Sequence, residues 1–189
     1  MTVEEIEAAN VRAPAKLNGR VTLAEYDTRW PDVFAQQAAL VSEQLGSTGC
    51  RVEHVGSTSV PGLPAKPVID MLLVVPDSAE EASYVPALEG LGFELVIREP
   101  GWFEHRVLRK YDLGPGADSA NLHVLSDGCQ EIDRMLLFRD RLRRDDSDRE
   151  LYAETKRSLS RQTWEYMQNY ADAKSDVIAQ ILKRAGHES

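Results

Sequence analysis

Three consecutive hydroxyls, Ser57, Thr58 and Ser59, lie between Gly56 and Gly62, and Lys66 and Asp70 follow them closely. Hydroxyls, loop amides opened by glycine and a nearby ammonium are groups that hold an anion. Pro61, Pro64 and Pro67 stiffen the connection, so these donors stand on a rigid loop. Asp70 sits in the apolar run Val68-Ile69-Asp70-Met71-Leu72-Leu73-Val74-Val75. A carboxylate in such a run needs partners, because burying it alone is costly, and functional sites are one common source of such residues.

A glycine loop with a lysine invites comparison with the phosphate-binding P-loop, which ends in Gly-Lys-Ser/Thr and opens a helix. Here Lys66 stands between Ala65 and Pro67, and a strand-like run follows. A hydrolase nucleophile elbow is excluded as well, since no serine of the loop has glycine two positions away on both sides.

The remaining pattern, Gly56-Ser57 and then Asp70 on an apolar strand, resembles the signature of the polymerase β-like nucleotidyltransferase superfamily. The fuller string His54-Val55-Gly56-Ser57-Thr58-Ser59-Val60-Pro61-Gly62-Leu63-Pro64-Ala65-Lys66-Pro67-Val68-Ile69-Asp70 is similar to the GrpB family within it. Tyr26-Asp27 with Trp30 and Phe34 upstream, and Leu137-Phe138-Arg139-Asp140 with Leu142 and Arg143 downstream, resemble the same family. Tyr152, Lys156, Tyr170 and Lys174 extend the likeness into the tail.

The resemblance implies a mixed sheet flanked by helices, with Gly56-Ser57 holding nucleotide phosphates and Asp70 serving as catalytic carboxylate and ligand of Mg2+ or Mn2+. Amides at a helix start favour phosphate, and carboxylates two apart on a strand share a face where they can hold metal. This chain has Leu72 two after Asp70, so the second acid is missing from that position. Glu53 and Glu104 are the candidates to replace it. Two functions stay open: metal-dependent nucleotidyl transfer, and a non-catalytic binding module for a small anionic metabolite. In the second, Lys66, Arg139 and the glycine loop supply the positive field.

Among the histidines, His54 adjoins the loop, and His123 alternates with Leu122 and Val124 so that it faces away from them; both are expected in the ligand pocket. His105 carries little weight. The histidine spacing predicts no zinc site, and neither haem nor flavin is expected. Glu104 and Arg106 share a side of their strand and read first as a surface ion pair. Arg139 with Asp140 reads as a phosphate contact and its orienting acid, or as a clamp between helix and sheet. Tyr170 and Lys174, one helical turn apart, read as packing plus a surface amine.

These residues need elements to position them. Phe34, Ala38, Val41 and Leu45 line one face of a helix entered at Pro31, and strands are expected over 51–55, 68–75, 93–97, 102–111 and 121–126. Ser78 with Glu81, and Ser147 with Glu150, predict capping boxes, the first opening a helix over 78–91. Residues after Asp127 read as helical, ending in a helix that carries Val177, Ile178, Ile181 and Leu182. The order predicts an α+β fold, a mixed sheet flanked by helices with a helical C-terminal tail.

The acidic first residues lack the layout of a secretory signal, so residues 1–20 are expected as a mobile arm before a single domain over 21–189. A chain of 189 residues, 42% hydrophobic, buries a real core unaided. Its net charge of -9 argues against nucleic acid or an anionic membrane as partner, and leaves a small anionic ligand, nucleotides included, as the expected one. No apolar run approaches the roughly 20 residues that span a bilayer. Cys50 and Cys129 have no disulfide or metal spacing, so reduced thiols and a cytoplasmic location are expected.

Overall fold

In the computed structural model, which describes residues 1–46 and 49–186, the sheet assembles around β2 (Val68–Val75). Five strands run in the order β1-β2-β5-β4-β3, with β1 (Arg51–Val55), β3 (Glu94–Glu99), β4 (His105–Tyr111) and β5 (Ser119–Ser126). β2 and β5 are parallel and the other pairs antiparallel, so the sheet is mixed. β2 lies inside the sheet, which accounts for its aliphatic residues on both faces.

On one face Ile69, Met71, Leu73 and Val75 join Leu122 and Val124 of β5 beneath α2 (Trp30–Leu45) and α3 (Val85–Glu89). Each fully buried aliphatic side chain there contributes roughly 1.5–3 kcal/mol. On the other face Val55, Leu72, Val74 and Leu125 pack with Ile132 of α4 (Gln130–Arg144). Leu72 is fully buried in that cluster. An acid there would face the apolar underside of α4, which is why the position two after Asp70 carries a leucine.

The remaining helices, α5 (Asp146–Ser160), α6 (Met167–Asp172) and α7 (Ser175–Arg184), form the expected helical tail. It folds back on the glycine loop: Val60 and Leu63 are buried among Leu142, Tyr152, Ala153, Val177 and Ile181. No helix among the described residues is long and apolar enough to cross a membrane.

Several local expectations shift. The strands expected over 93–97, 102–111 and 121–126 become β3, β4 and β5 with moved ends, and Trp102 lies in the turn before β4. Ser78 opens no helix, because its buried hydroxyl bonds Ser126 while Glu81 pairs with Arg98 and Arg106. Only a 3-10 turn and the short α3 follow it. The cap of α5 is Asp145, which accepts from the Asp148 amide, in place of Ser147. The stretch 1–20, expected as a mobile arm, carries α1 (Val3–Ala9), opened by a Thr2–Glu5 capping box and bearing the buried Ile6. The last three residues of the domain expected over 21–189 lie outside the described residues.

His54 belongs to the α2 side of the sheet. It pairs with Met71 in register, stacks on Phe34 at 4.5 Å and bonds Thr58 Oγ1 at 3.1 Å. Burial pushes its pKa down from 6.5 to about 4, so it is neutral in the folded protein at neutral pH. Between those values the unfolded chain binds the extra proton, so stability falls as the pH drops from 6.5 toward 4. Urea unfolding is expected to show a loss on the order of 3 kcal/mol over this window that His54→Gln lacks, and equal pH slopes for both proteins would refute it.

Candidate functional site

The glycine loop and Asp70 are built against one another. Gly56 takes φ 66°, and a Cβ on it would overlap the Asp70 carboxylate and lie 2.8 Å from the Asp70 Cβ. Ser57–Ser59 then forms one 3-10 turn, in which Ser59 Oγ donates to the Gly56 carbonyl at 2.6 Å and Thr58 Oγ1 donates to the Val68 carbonyl at 3.2 Å. Thr58 and Ser59 are buried and hold the loop's shape. Ser57 and Thr58 both line the recess over Asp70, with the Thr58 hydroxyl committed to Val68 and His54.

That recess, about 70 Å³, is lined by Lys66, Lys156 and Lys174 together with Ser57, Asp70, Asn121 and Tyr170. Lys66 comes from the loop, Lys156 from the buried side of α5, and Lys174 from the junction between α6 and α7. Burial lowers all three ammonium pKa values against the pull of Asp70. For Lys156 the value falls to about 7, with the Lys174 charge adding to the effect of burial. Lys156 Nζ donates to the Pro64 carbonyl, a neutral acceptor that does not cancel its charge. The Tyr170 hydroxyl is buried without a hydrogen-bond partner among the described residues.

Asp70 itself keeps 29% of its side chain accessible, at the bottom of the recess. Burial acts to raise its pKa, while Asn121 and Lys66 act to lower it. Asn121 Nδ2 donates to Asp70 Oδ1 at 3.0 Å, and Arg109 Nε holds the Asn121 carbonyl at 2.8 Å. His123 Nε2 stands 3.7 Å from the same Asp70 oxygen. Behind it run His105 Nε2, 3.1 Å from His123 Nδ1, and Glu99 Oε2, 2.7 Å from His105 Nδ1. This chain walls a larger cleft of about 1070 Å³, which Gly56, Tyr152 and Lys174 also border.

The structure brings together Asp70, Gly56, Ser57, Thr58, Lys66 and His123 from the expected set. His54 is on the opposite face and lines a separate hollow with Tyr26 and Arg143. Arg139 is the clamp of its two readings: it bonds Glu53 at 3.0 Å, the His54 carbonyl at 3.1 Å and Asp140 at 2.8 Å, tying α4 to β1. Lys174, expected as a surface amine, belongs to the recess, and His105 belongs to the His123 chain. A helical wheel of α5 would have pointed at Lys156, which follows the buried Tyr152 by one turn.

The donors do not fit a two-metal centre. Glu53 shares the face of Asp70 but is held by Arg139, and Glu104 is bonded to Arg106, whose register puts it on the α3 side. Among the described residues no three His, Cys, Asp or Glu side chains gather where they could hold a metal ion.

The model of the family described as GrpB protein matches residues 20–184. The chain belongs to the GrpB family. It is 54% identical over 184 residues to UPF0157 protein BH1888 of Halalkalibacterium halodurans, covering 97% of this chain and 92% of that protein. Its structure is similar to that of GrpB from Enterococcus faecalis, with a TM-score of 0.70 at 33% identity, over 87% of this chain and 96% of the other. A dephospho-CoA kinase of Mycolicibacterium paratuberculosis is 26% identical, over 87% of this chain and 46% of the kinase.

Within this GrpB site the Gly56 contact is open to a direct test. Gly62 also has a positive φ, yet a Cβ there meets nothing within 4 Å. Gly62→Ala is expected to cost about 1 kcal/mol and Gly56→Ala about 1–3 kcal/mol more, read from thermal unfolding. Equal costs would show that the approach to Asp70 imposes no constraint.

Proposed function

We propose that this GrpB protein binds a phosphorylated small molecule, nucleotides first among the probes, with its phosphate oxygens against Ser57, Lys66, Lys156 and Lys174. One observation carries the reading: three lysines line one recess in which Asp70 is the carboxylate among the described lining residues, in a protein whose net charge is -9. Concentrating like charges in a low-dielectric recess is unfavourable unless an anion offsets them. The unpartnered Tyr170 hydroxyl is a further donor toward such a group. The adjoining cleft, bordered by Ile97, Trp102, Val107 and Met135, has room for the rest of a nucleotide-sized ligand. The match to part of a dephospho-CoA kinase supports nucleotide-like ligands. The two cysteines without disulfide spacing support a cytoplasmic place of action.

A second reading is the metal-dependent nucleotidyl transfer that the Gly56-Ser57 and Asp70 resemblance implies, with Mg2+ or Mn2+ at Asp70. The donor set argues for binding without metal: Leu72 is apolar, and Glu53 and Glu104 are held by arginines.

Calorimetry with a nucleotide panel, with and without Mg2+ or with chelator, separates the readings. Binding is expected to survive chelation and to weaken at least tenfold in Lys174→Ala or Lys66→Ala, since each ammonium makes a charge-assisted contact. Lys156 is half-protonated near pH 7, so an anion draws a proton onto it and affinity falls as the pH rises from 7 to 9. Binding only with metal, and its loss in Asp70→Asn, would favour the transferase. No binding of any phosphorylated probe would sink the proposal.

A further inference from the structure

The chain Glu99–His105–His123 ends at Asp70, and counting its protons leads to a ligand class. Glu99 Oε2 accepts, so His105 Nδ1 carries the hydrogen of the 2.7 Å bond. A buried, uncharged His105 then has only a lone pair on Nε2, so across the 3.1 Å contact it is His123 Nδ1 that donates. With its hydrogen on Nδ1 alone, His123 has a bare Nε2, and the group it faces at 3.7 Å is Asp70 Oδ1, another acceptor. Two acceptors then confront one another, Asp70 on the recess and His123 on the adjoining cleft.

The rings are held for this. His105 and His123 stack with centroids 5.3 Å apart and planes 13° from parallel, and Trp102 stands edge-on to His105 at 5.0 Å. The four groups come from four different elements, Glu99 from β3, His105 from β4, His123 from β5 and Asp70 from β2. A divalent ion is a poor occupant of the gap: it would have two protein ligands and three lysines around the same recess. A neutral donor fits, because it satisfies acceptors without adding charge.

We propose that Glu99 and His105 are positioning residues that fix His123 as its Nδ1–H tautomer, so that His123 Nε2 and Asp70 Oδ1 form a two-acceptor subsite for a hydroxyl of the phosphorylated ligand. The ligand class is thereby narrowed to phosphate esters that keep a free hydroxyl near the phosphate, as sugar phosphates and nucleotides do. This ligand half rests on the phosphate reading above; the tautomer half does not.

The test is long-range 1H–15N NMR on the full chain labelled at histidine. His123 is expected to carry hydrogen on Nδ1 alone at neutral pH. In His105→Phe, which keeps the stacked ring but removes its acceptor, the hydrogen is expected to move to Nε2, toward Asp70. Glu99→Gln, which can donate to His105 Nδ1 and reverse the chain, is expected to populate the same Nε2–H form and serves if the first variant does not fold. A wild-type His123 protonated on both nitrogens or on Nε2, or a tautomer unmoved in both variants, overturns the positioning role.

With ligand, ATP is expected to shift the His123 Nε2 resonance, and 2′,3′-dideoxy-ATP to leave it in place and bind roughly tenfold more weakly. Equal binding of the two nucleotides overturns the hydroxyl subsite. Selective broadening of His123 by Mn2+ alone overturns it in favour of a metal. If neither these nucleotides nor any other phosphorylated probe binds, the hydroxyl subsite falls together with the phosphate reading, while the tautomer measurement still decides the role of Glu99 and His105.

Discussion

A carboxylate recessed inside the sheet has to be compensated, and much of this molecule is arranged around that requirement at Asp70. Isolated, such a charge would be costly. Here Asn121 donates to it, Lys66 adds favourable charge, and Gly56 approaches so closely that a side chain at that position is excluded. The same approach puts the Ser57 turn over the carboxylate. Loop and strand therefore form one unit, in which moving either exposes the other to an unfavourable contact.

The helical tail turns that unit into a site. Val60 and Leu63 anchor the loop among α4, α5 and α7, and this packing carries Lys156 and Lys174 over the recess. Positive charge thus exceeds negative charge in one small volume of an acidic protein. Apolar burial does the assembling; the electrostatics follow from where the helices come to rest. Leu72 shows the cost of the arrangement for metal chemistry, since the cover that α4 lays on the sheet takes the place where a second acid would stand.

Much of the fold was legible in advance. β1 and β2 are read correctly from their apolar runs, and the helical tail from its periodicity. Local capping motifs were less reliable: Ser78 and Glu81 have the spacing of a capping box, but a partner strand and two arginines compete for the same polar groups. Among site residues, Gly56, Ser57, Lys66, Asp70 and His123 could be named because they sit in or beside one string, or face away from apolar neighbours. His54 belongs to that string too, yet strand alternation sends it to the other side of the sheet. Arg139, equally prominent, spends its charge on Glu53, Asp140 and a carbonyl.

By itself the sequence determined the family, the order of the elements, the rigid glycine loop and the strand on which Asp70 stands, because these depend on local composition and on periods of two or about four residues. Only the tertiary structure decided what surrounds Asp70. The three lysines of the recess lie far apart along the chain, and the Glu99–His105–His123 relay is created by strand order, which sets β5 between β2 and β4. Neither grouping has a local signature, since each depends on the register between strands and the packing of helices on them.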